Sequence, residues 1–527
     1  MTSCININFL VNSYRNHRFM KFSSVCLLII GFYCSSCKRP HEKAPEVTVE
    51  KIETVNEDVV NILQNQIEQF KVDSLLIIDS DTMITGPWIS TLFSNNNFQP
   101  IWTDKSKITD AGDSLLKFIE NIEYFGLSSS DYLLNQIKNK VNSFYNLADS
   151  NINITRIYEV NILLTEAFFK LSIHLNRGIQ DQVTFQKIWK GTGKDSTLVN
   201  LLETAAKSNR ISQSLQSQEP KFEQYSRLKF ILSVLLNKTD YSDSLHEFEN
   251  NMDPVNSKVF RLNSNIERWR WESKEEESQS ILINIPSNTF QYYINDSIAL
   301  KSRVITGKPE TPTPFIYNSK VSHFFIYPYW NVPYTIATKE ILPNLKKDTT
   351  YLTSKNFDVL DLKNNLVDPS TINWKRYTEK YFPFRLRQRD GTENTLGLLK
   401  FMFPNPFAIY LHDTNSRTLF SKENRWLSHG CIRLEKAKEF ATMICNSSAM
   451  EFNNDSLNLY LDIRSRKKVN IYPVIPIHIR YYSIEVENNK AIYYNDIYQI
   501  DKQMNDALRF NEWAMETDTT SAPFSLF

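Results

Sequence analysis

The chain has 527 residues, too many for one ordinary core, which predicts two or three domains. Lys and Arg number 60 against 59 Asp and Glu, a formal net charge of +1, so the charge balance gives no reason to expect a nucleic-acid partner. At 41% hydrophobic and 13% aromatic the composition excludes a disordered chain, and with only 11 glycines its turns lean on Asn, Asp and Ser.

Residues 1–37 read as an export signal. Lys21 supplies positive charge, Val25 to Tyr33 form a short apolar run, and Cys34-Ser-Ser-Cys37 follows. The run is far too short to span a bilayer. Small residues before Cys37 resemble a lipoprotein cleavage site, with Cys37 acylated, although Cys34 stands where a Leu-like residue is usual. An uncleaved anchor and a plain secretory signal are the alternatives, and Met20 is a second candidate start. Cleavage there leaves Cys431 and Cys445 as the free thiols, too few for a disulfide framework. Residues 38–54 read as a tether.

Residues 55–255 read as a helical domain. Apolar residues recur at helical spacing in Val59-Val60-Leu63-Ile67-Phe70, in Leu115-Leu116-Ile119-Ile122, in Ile157-Val160-Leu163-Leu164-Phe168 and in Phe222-Tyr225-Leu228-Ile231-Leu235. Asp110 is a candidate cap and Gly126 a candidate stop. Trp269 and Trp271, alternating with Arg268 and Arg270, read as a structural junction.

Near residue 276 the pattern turns to β. Strands are expected over 280–286, 290–294, 298–305, 324–327, 407–411 and 469–479. Residues 344–385 are polar and charged and read as a lid or solvated loop. A helix is expected over about 435–446, with Cys445 an inert core residue on it. The fold class is therefore α+β: a mostly helical N-terminal domain, then a β-rich domain over 276–450 with a capping insertion, then a β-rich extension over 451–527.

The chemistry concentrates between His412 and Arg433. Cys431 is a candidate nucleophile, since a thiolate held near imidazole is the reactive form of cysteine. Gly430 allows a bend and a close approach to the backbone. A helix N-terminus just after Cys431 would offer free N–H groups that favour a thiolate and an oxyanion. Both His412, at a strand end, and His429, two residues before the cysteine, are candidate bases, and spacing leaves either open. Arg433 is a candidate for a substrate carboxylate. A zinc site built on His412, His429 and Cys431 lacks the usual paired spacing and a fourth ligand.

Ser428-His-Gly-Cys-Ile-Arg433, preceded by His412, resembles the signature of L,D-transpeptidases with a YkuD-type catalytic domain. Asn265-Ile-Glu-Arg-Trp-Arg-Trp271, Gly307-Lys308 with Thr311-Pro-Thr-Pro314, Tyr329-Trp-Asn-Val-Pro333, Asn394-Thr-Leu-Gly397 and Lys400-Phe-Met-Phe-Pro-Asn405 resemble the large YcbB-like subfamily. Pro100-Ile-Trp102 and Leu164-Thr-Glu-Ala167 are similar to its helical scaffold domain. The segment from Asp240 to Ser264 is too short for the small peptidoglycan-binding domain usual there. The resemblance implies a β-rich L,D-transpeptidase domain acting on peptidoglycan stem peptides, with no metal or organic cofactor. It implies Cys431 as nucleophile, His412 as base, His429 as the second motif histidine, and the Gly430 and Cys431 backbone as the oxyanion hole. Tyr329, Trp330, Arg387 and Asn394 are expected to position substrate. The implied setting is a periplasmic lipoprotein, membrane-anchored through Cys37. A carboxypeptidase, a cross-link hydrolase and a non-catalytic peptidoglycan-binding lipoprotein are the competing readings.

Overall fold

The N-terminal helices are α1 (Val49–Asp73), α2 (Gly86–Asn95), α3 (Asp110–Glu120), α4 (Leu134–Asn142), α5 (Ile154–Arg177), α6 (Ser196–Lys207), α7 (Ile211–Gln216), α8 (Glu223–Leu236) and α9 (Pro254–Arg270). The computed structural model describes residues 49–146, 151–185, 196–237, 254–272, 277–348, 350–447 and 450–517, so the expected signal, Cys37 and most of the expected tether lie outside the described residues. Helix α1 already begins at Val49, inside the stretch expected to be a tether.

Helix α5 is the axis of this half because its sequence is apolar on almost every side, and a helix apolar all round must be buried. The polar residues it does carry bind neighbouring loops. Asn161 accepts the N–H groups of Ile101 and Trp102 at 3.1 and 3.0 Å, Thr165 accepts the Trp102 indole at 2.9 Å, and the Glu166 carboxylate accepts the N–H groups of Ile84 and Thr85 at 3.2 and 3.0 Å. Helix α3 is capped by Thr109, one residue before the expected Asp110, and Gly126 instead closes a 3-10 turn after it at φ 71°.

The second half is one nine-stranded sheet. Its strands are β1 (Gln279–Asn284), β2 (Thr289–Ile294), β3 (Ser297–Gly307), β4 (Lys320–Ile326), β9 (Leu399–Met402), β10 (Leu411–His412), β11 (Trp426–Ser428), β12 (Ile432–Leu434) and β13 (Lys467–Arg480). Four further strands between β4 and β9 form the cap: β5 (Trp330–Asn331), β6 (Phe357–Leu360), β7 (Leu366–Val367) and β8 (Arg385–Gln388). The main sheet runs β11-β3-β12-β10-β9-β4-β13-β1-β2, and β2 pairs again with β3, so the order closes on itself. Helix α10 (Ala437–Cys445) drives Phe440 against the rings of Phe290, Tyr292 and Phe401, with centroids 5.0 to 5.3 Å apart.

Two expected boundaries change. The β-rich tail is not an extension, because β13 lies in the middle of the sheet between β4 and β1. Its alternating apolar residues Val469, Ile471, Ile475, Ile477 and Ile479 complete the same core. The insertion is also larger and less loop-like than 344–385. It runs from Trp330 to Gln388 as a sheet ordered β5-β8-β6-β7, with its own core of Ile341, Leu342, Leu345, Leu352, Trp374, Phe382 and Leu386. Its charged residues face outward and mask that core in the sequence.

The Trp-Arg-Trp junction joins the halves. Trp269 stacks on Tyr482 at 4.4 Å, Trp271 stacks on Phe185, and Glu267 accepts the N–H groups of Ile179 and Gln180. Arg268 pairs with Asp501 at the start of α11 (Ile500–Thr517), where both side chains are 4% exposed.

Candidate active site

Strand register assembles the site. Lys400 on β9 pairs with His412 on β10, and His412 pairs with Arg433 on the parallel neighbour β12. Leu411 pairs with Ile432, which sets Tyr410 level with Cys431 one step earlier. Alternation along a strand then puts Lys400, Tyr410, His412, Cys431 and Arg433 on one face. Phe401, Leu411 and Ile432 point the other way into the core.

Gly430 makes the bend before Cys431 at φ 100°, a left-handed conformation that side-chain-bearing residues rarely adopt. The Gly307–Thr313 loop holds this bend. Thr313 Oγ1 donates to the Gly430 carbonyl at 2.9 Å, and the Lys308 N–H and Thr311 Oγ1 donate to the Ser428 carbonyl at 3.0 and 3.2 Å. Tyr498 supports the loop in turn, donating to the Gly307 carbonyl and accepting the Thr313 N–H. Ser428 Oγ donates to the Cys431 carbonyl. Among the described residues neither the Gly430 nor the Cys431 N–H has an acceptor, so both are free to meet an oxyanion.

Cys431 is a free, half-buried thiol. Burial pushes it above the usual thiol range, while the neighbouring Tyr410 N–H and hydroxyl and the charges of Lys400 and Arg433 favour the thiolate. The expected helix N-terminus is absent here: β12 follows Cys431 directly and α10 starts only at Ala437. Burial therefore favours the neutral thiol at rest, and Ile432-Arg-Leu434 continues the sheet where a helix N-terminus would have favoured the thiolate.

His412 is buried, and its Nδ1 lies 2.5 Å from the backbone carbonyl of Asp413. A carbonyl only accepts, so Nδ1 carries the proton and Nε2 presents a lone pair. Burial, with the positive charges of Arg433 and Lys400, pushes the imidazole down to about 3, while the carbonyls of Asp413 and Leu396 act the other way.

The structure separates the two histidines. His429 Nε2 lies 2.6 Å from a carboxylate oxygen of Glu340 in the cap, so it links the nucleophile loop to the insertion. Gly430 breaks the extended path that would have aligned His429 with Cys431. Trp330 does reach the site: it neighbours the Tyr410 hydroxyl, while its ring packs on Phe357 of the cap. Arg387 is tied to Asp358 at 2.7 Å and lies over the Tyr329 ring. Asn394 is not open to substrate. It is buried, donates to the carbonyls of Pro328 and Arg389, and accepts the Leu396 N–H at 2.7 Å, which braces the loop before β9.

Sequence reading missed Tyr410, Lys400, Asp413 and Glu340. Tyr410 and Lys400 had a signal, since period-two spacing from His412 and a cross-strand pairing would place them on its face. Glu340 had none, because its contact spans 89 positions of chain. A larger cavity of about 370 Å³ lies inside the cap, lined by Val332, Leu360, Phe382 and Arg385 among others, away from the thiol.

Residues 278–449 match the family model of the L,D-transpeptidase catalytic domain, and residues 87–232 match that of the Scaffold domain. A Haemophilus influenzae protein named "Putative L,D-transpeptidase" is 27% identical over 424 residues, which cover 80% of this chain and 79% of that one. A solved L,D-transpeptidase from Mycobacterium smegmatis is 15% identical with a TM-score of 0.16, covering 38% of this chain and 58% of its own, a likeness too small to carry a structural argument.

Proposed function

We propose that this chain, which joins a scaffold domain to an L,D-transpeptidase catalytic domain of the YkuD family, is a peptidoglycan L,D-transpeptidase with Cys431 as its nucleophile and His412 as its base. The observation that carries this reading is the face that Cys431 and a neutral His412 share across adjacent parallel strands, with Tyr410 level with the thiol.

The Cys431 sulfur attacks the carbonyl of the third residue of a donor tetrapeptide stem, a diamino acid, as its proton passes to Nε2 of His412. Charge on the carbonyl oxygen is met by the N–H groups of Gly430 and Cys431. The C–N bond to the terminal D-alanine breaks, and the departing amine takes the proton from His412. The side-chain amine of an acceptor stem then attacks the thioester carbon and loses its proton to His412. The C–S bond breaks, and the sulfur regains that proton. Thiol and imidazole are both neutral at rest, so the first proton moves during attack and not before it. The signal over residues 1–37 supports a periplasmic setting with a lipid anchor at Cys37.

Incubation of the full chain with tetrapeptide stems, followed by mass analysis, tests the reading. Cross-linked dimers and released D-alanine are expected from the wild type and neither from Cys431→Ala. Trimmed monomers alone would indicate a carboxypeptidase, and identical products from both proteins would end the catalytic reading.

A further inference from the structure

Lys400, paired across the strands with His412, also lines a groove of about 240 Å³ with Tyr329, Asn331, Arg387 and Arg466 and with Phe325 and Pro328. Three of these side chains are cations and none is a carboxylate. Arg387 shares its charge with Asp358. Among the described residues no carboxylate lies within ion-pair distance of Lys400 or Arg466. The half-buried Lys400 has only the face of Tyr410, 3.8 Å from its ammonium, and Arg466 lies 4.3 Å above the Tyr329 ring. Arg433, also half-buried beside Cys431, has no ion-pair partner among the described residues either.

A ring face restores only part of what a cation loses on leaving water. A groove with three cations and one shared counter-ion, in which the half-buried Lys400 has none, therefore suits an anion that arrives with the ligand. Lys400 in the groove wall lies over the Tyr410 ring, and Tyr410 stands level with Cys431, so one donor molecule is taken to reach both. Its size fits the carboxyl-bearing end of a side chain, and planar guanidinium groups match a carboxylate in geometry.

We propose that Lys400, Arg466 and Arg387 form a subsite for a free carboxylate of the acyl donor, which selects donors carrying that charge over amidated ones. This rests on Cys431 being the residue acylated. The subsite acts by holding the ligand and takes no part in bond making.

The test follows Cys431 acylation by intact mass and D-alanine release in the full chain. The donors are a tetrapeptide with all carboxylates free, one amidated at the diamino acid, and one amidated at the glutamyl residue. One of the amidations should raise KM about fivefold with little change in kcat, and that arm identifies the carboxylate. Arg466→Gln should raise KM for the free donor by a similar factor and leave that amidated donor unaffected, with Arg466→Lys restoring part of the difference. Added salt should shrink the preference. Equal KM values for all donors, or an Arg466→Gln effect that is the same on all of them, would overturn the subsite alone. No acylation by any donor would overturn both the subsite and the transpeptidase reading.

Discussion

Nδ1 of His412 donates to the backbone carbonyl of Asp413 at 2.5 Å, while the Asp413 carboxylate accepts the N–H of Leu398 at 3.0 Å and Arg417 at 2.9 Å. One residue thus fixes the tautomer of the candidate base and ties its strand to the loop before β9. Gly397 leaves the room for this. It sits at φ 62°, and a Cβ there would lie 2.4 Å from the Asp413 carboxylate and 2.6 Å from the Thr414 nitrogen. Gly397→Ala should displace Asp413 and lower kcat about tenfold or more, at a cost in stability of about 1–3 kcal/mol. D-alanine release and thermal melting together check this; unchanged kcat would separate Asp413 from the function of His412.

The two histidines should separate in kinetics. His412→Gln removes the lone pair that takes the thiol proton, and kcat should fall about a thousand-fold. His429→Gln removes a contact with Glu340 that is half-exposed on both sides, and a pair of that kind is worth about 1 kcal/mol or less. A loss for His429→Gln equal to that of His412→Gln would move the base to His429.

The pH profile has a direction fixed by burial. With His412 held neutral down to about 3, kcat/KM should show no acid limb in the ordinary histidine range near 6.5. The same shift acts on stability. Its folded value lies below its unfolded one, so the unfolded chain binds the extra proton first. The contribution is complete above about 6.5 and is lost as pH falls towards 3. Melting temperature against pH should fall less steeply over that window in His412→Gln than in the wild type.

The Tyr410 hydroxyl neighbours both Trp330 of the cap and the candidate nucleophile Cys431, whose thiolate it favours. Tyr410→Phe should lower kcat by about ten- to a hundredfold. It should also move the thiol pKa further up, because the lost hydroxyl favours the thiolate. The rate of alkylation of Cys431 against pH measures the shift, and a downward shift would contradict the assigned contact.

Asp501 is the counter-ion of the buried Arg268 and also meets Arg261 at 3.1 Å. Asp501→Asn would leave a buried guanidinium without its charge partner, and unfolding free energy in urea should fall by about 3 kcal/mol. The remaining folded fraction should keep its kcat.

The Ser428–Arg433 run was legible because nucleophile, glycine and flanking histidine are contiguous in the chain. The helical half was legible from apolar spacing, as in Leu163, Leu164 and Phe168 on α5. The cap was not, since its core residues such as Leu345 and Trp374 are scattered among lysines and aspartates. Strand β10 is shorter than the run 407–411 suggests, because Asn405 takes the Phe407 and Ile409 N–H groups that a ladder would need.

Residue type and local period were enough to read the α+β order, the candidate nucleophile and the two candidate base histidines. Folding in three dimensions set those histidines apart, brought Tyr410 and Lys400 to the face of the thiol, put β13 at the centre of the sheet and turned Asn394 inward. Those outcomes depend on strand register and on contacts between segments far apart in the chain. A residue's neighbours across a sheet follow from which strands pair, and local sequence does not encode that choice.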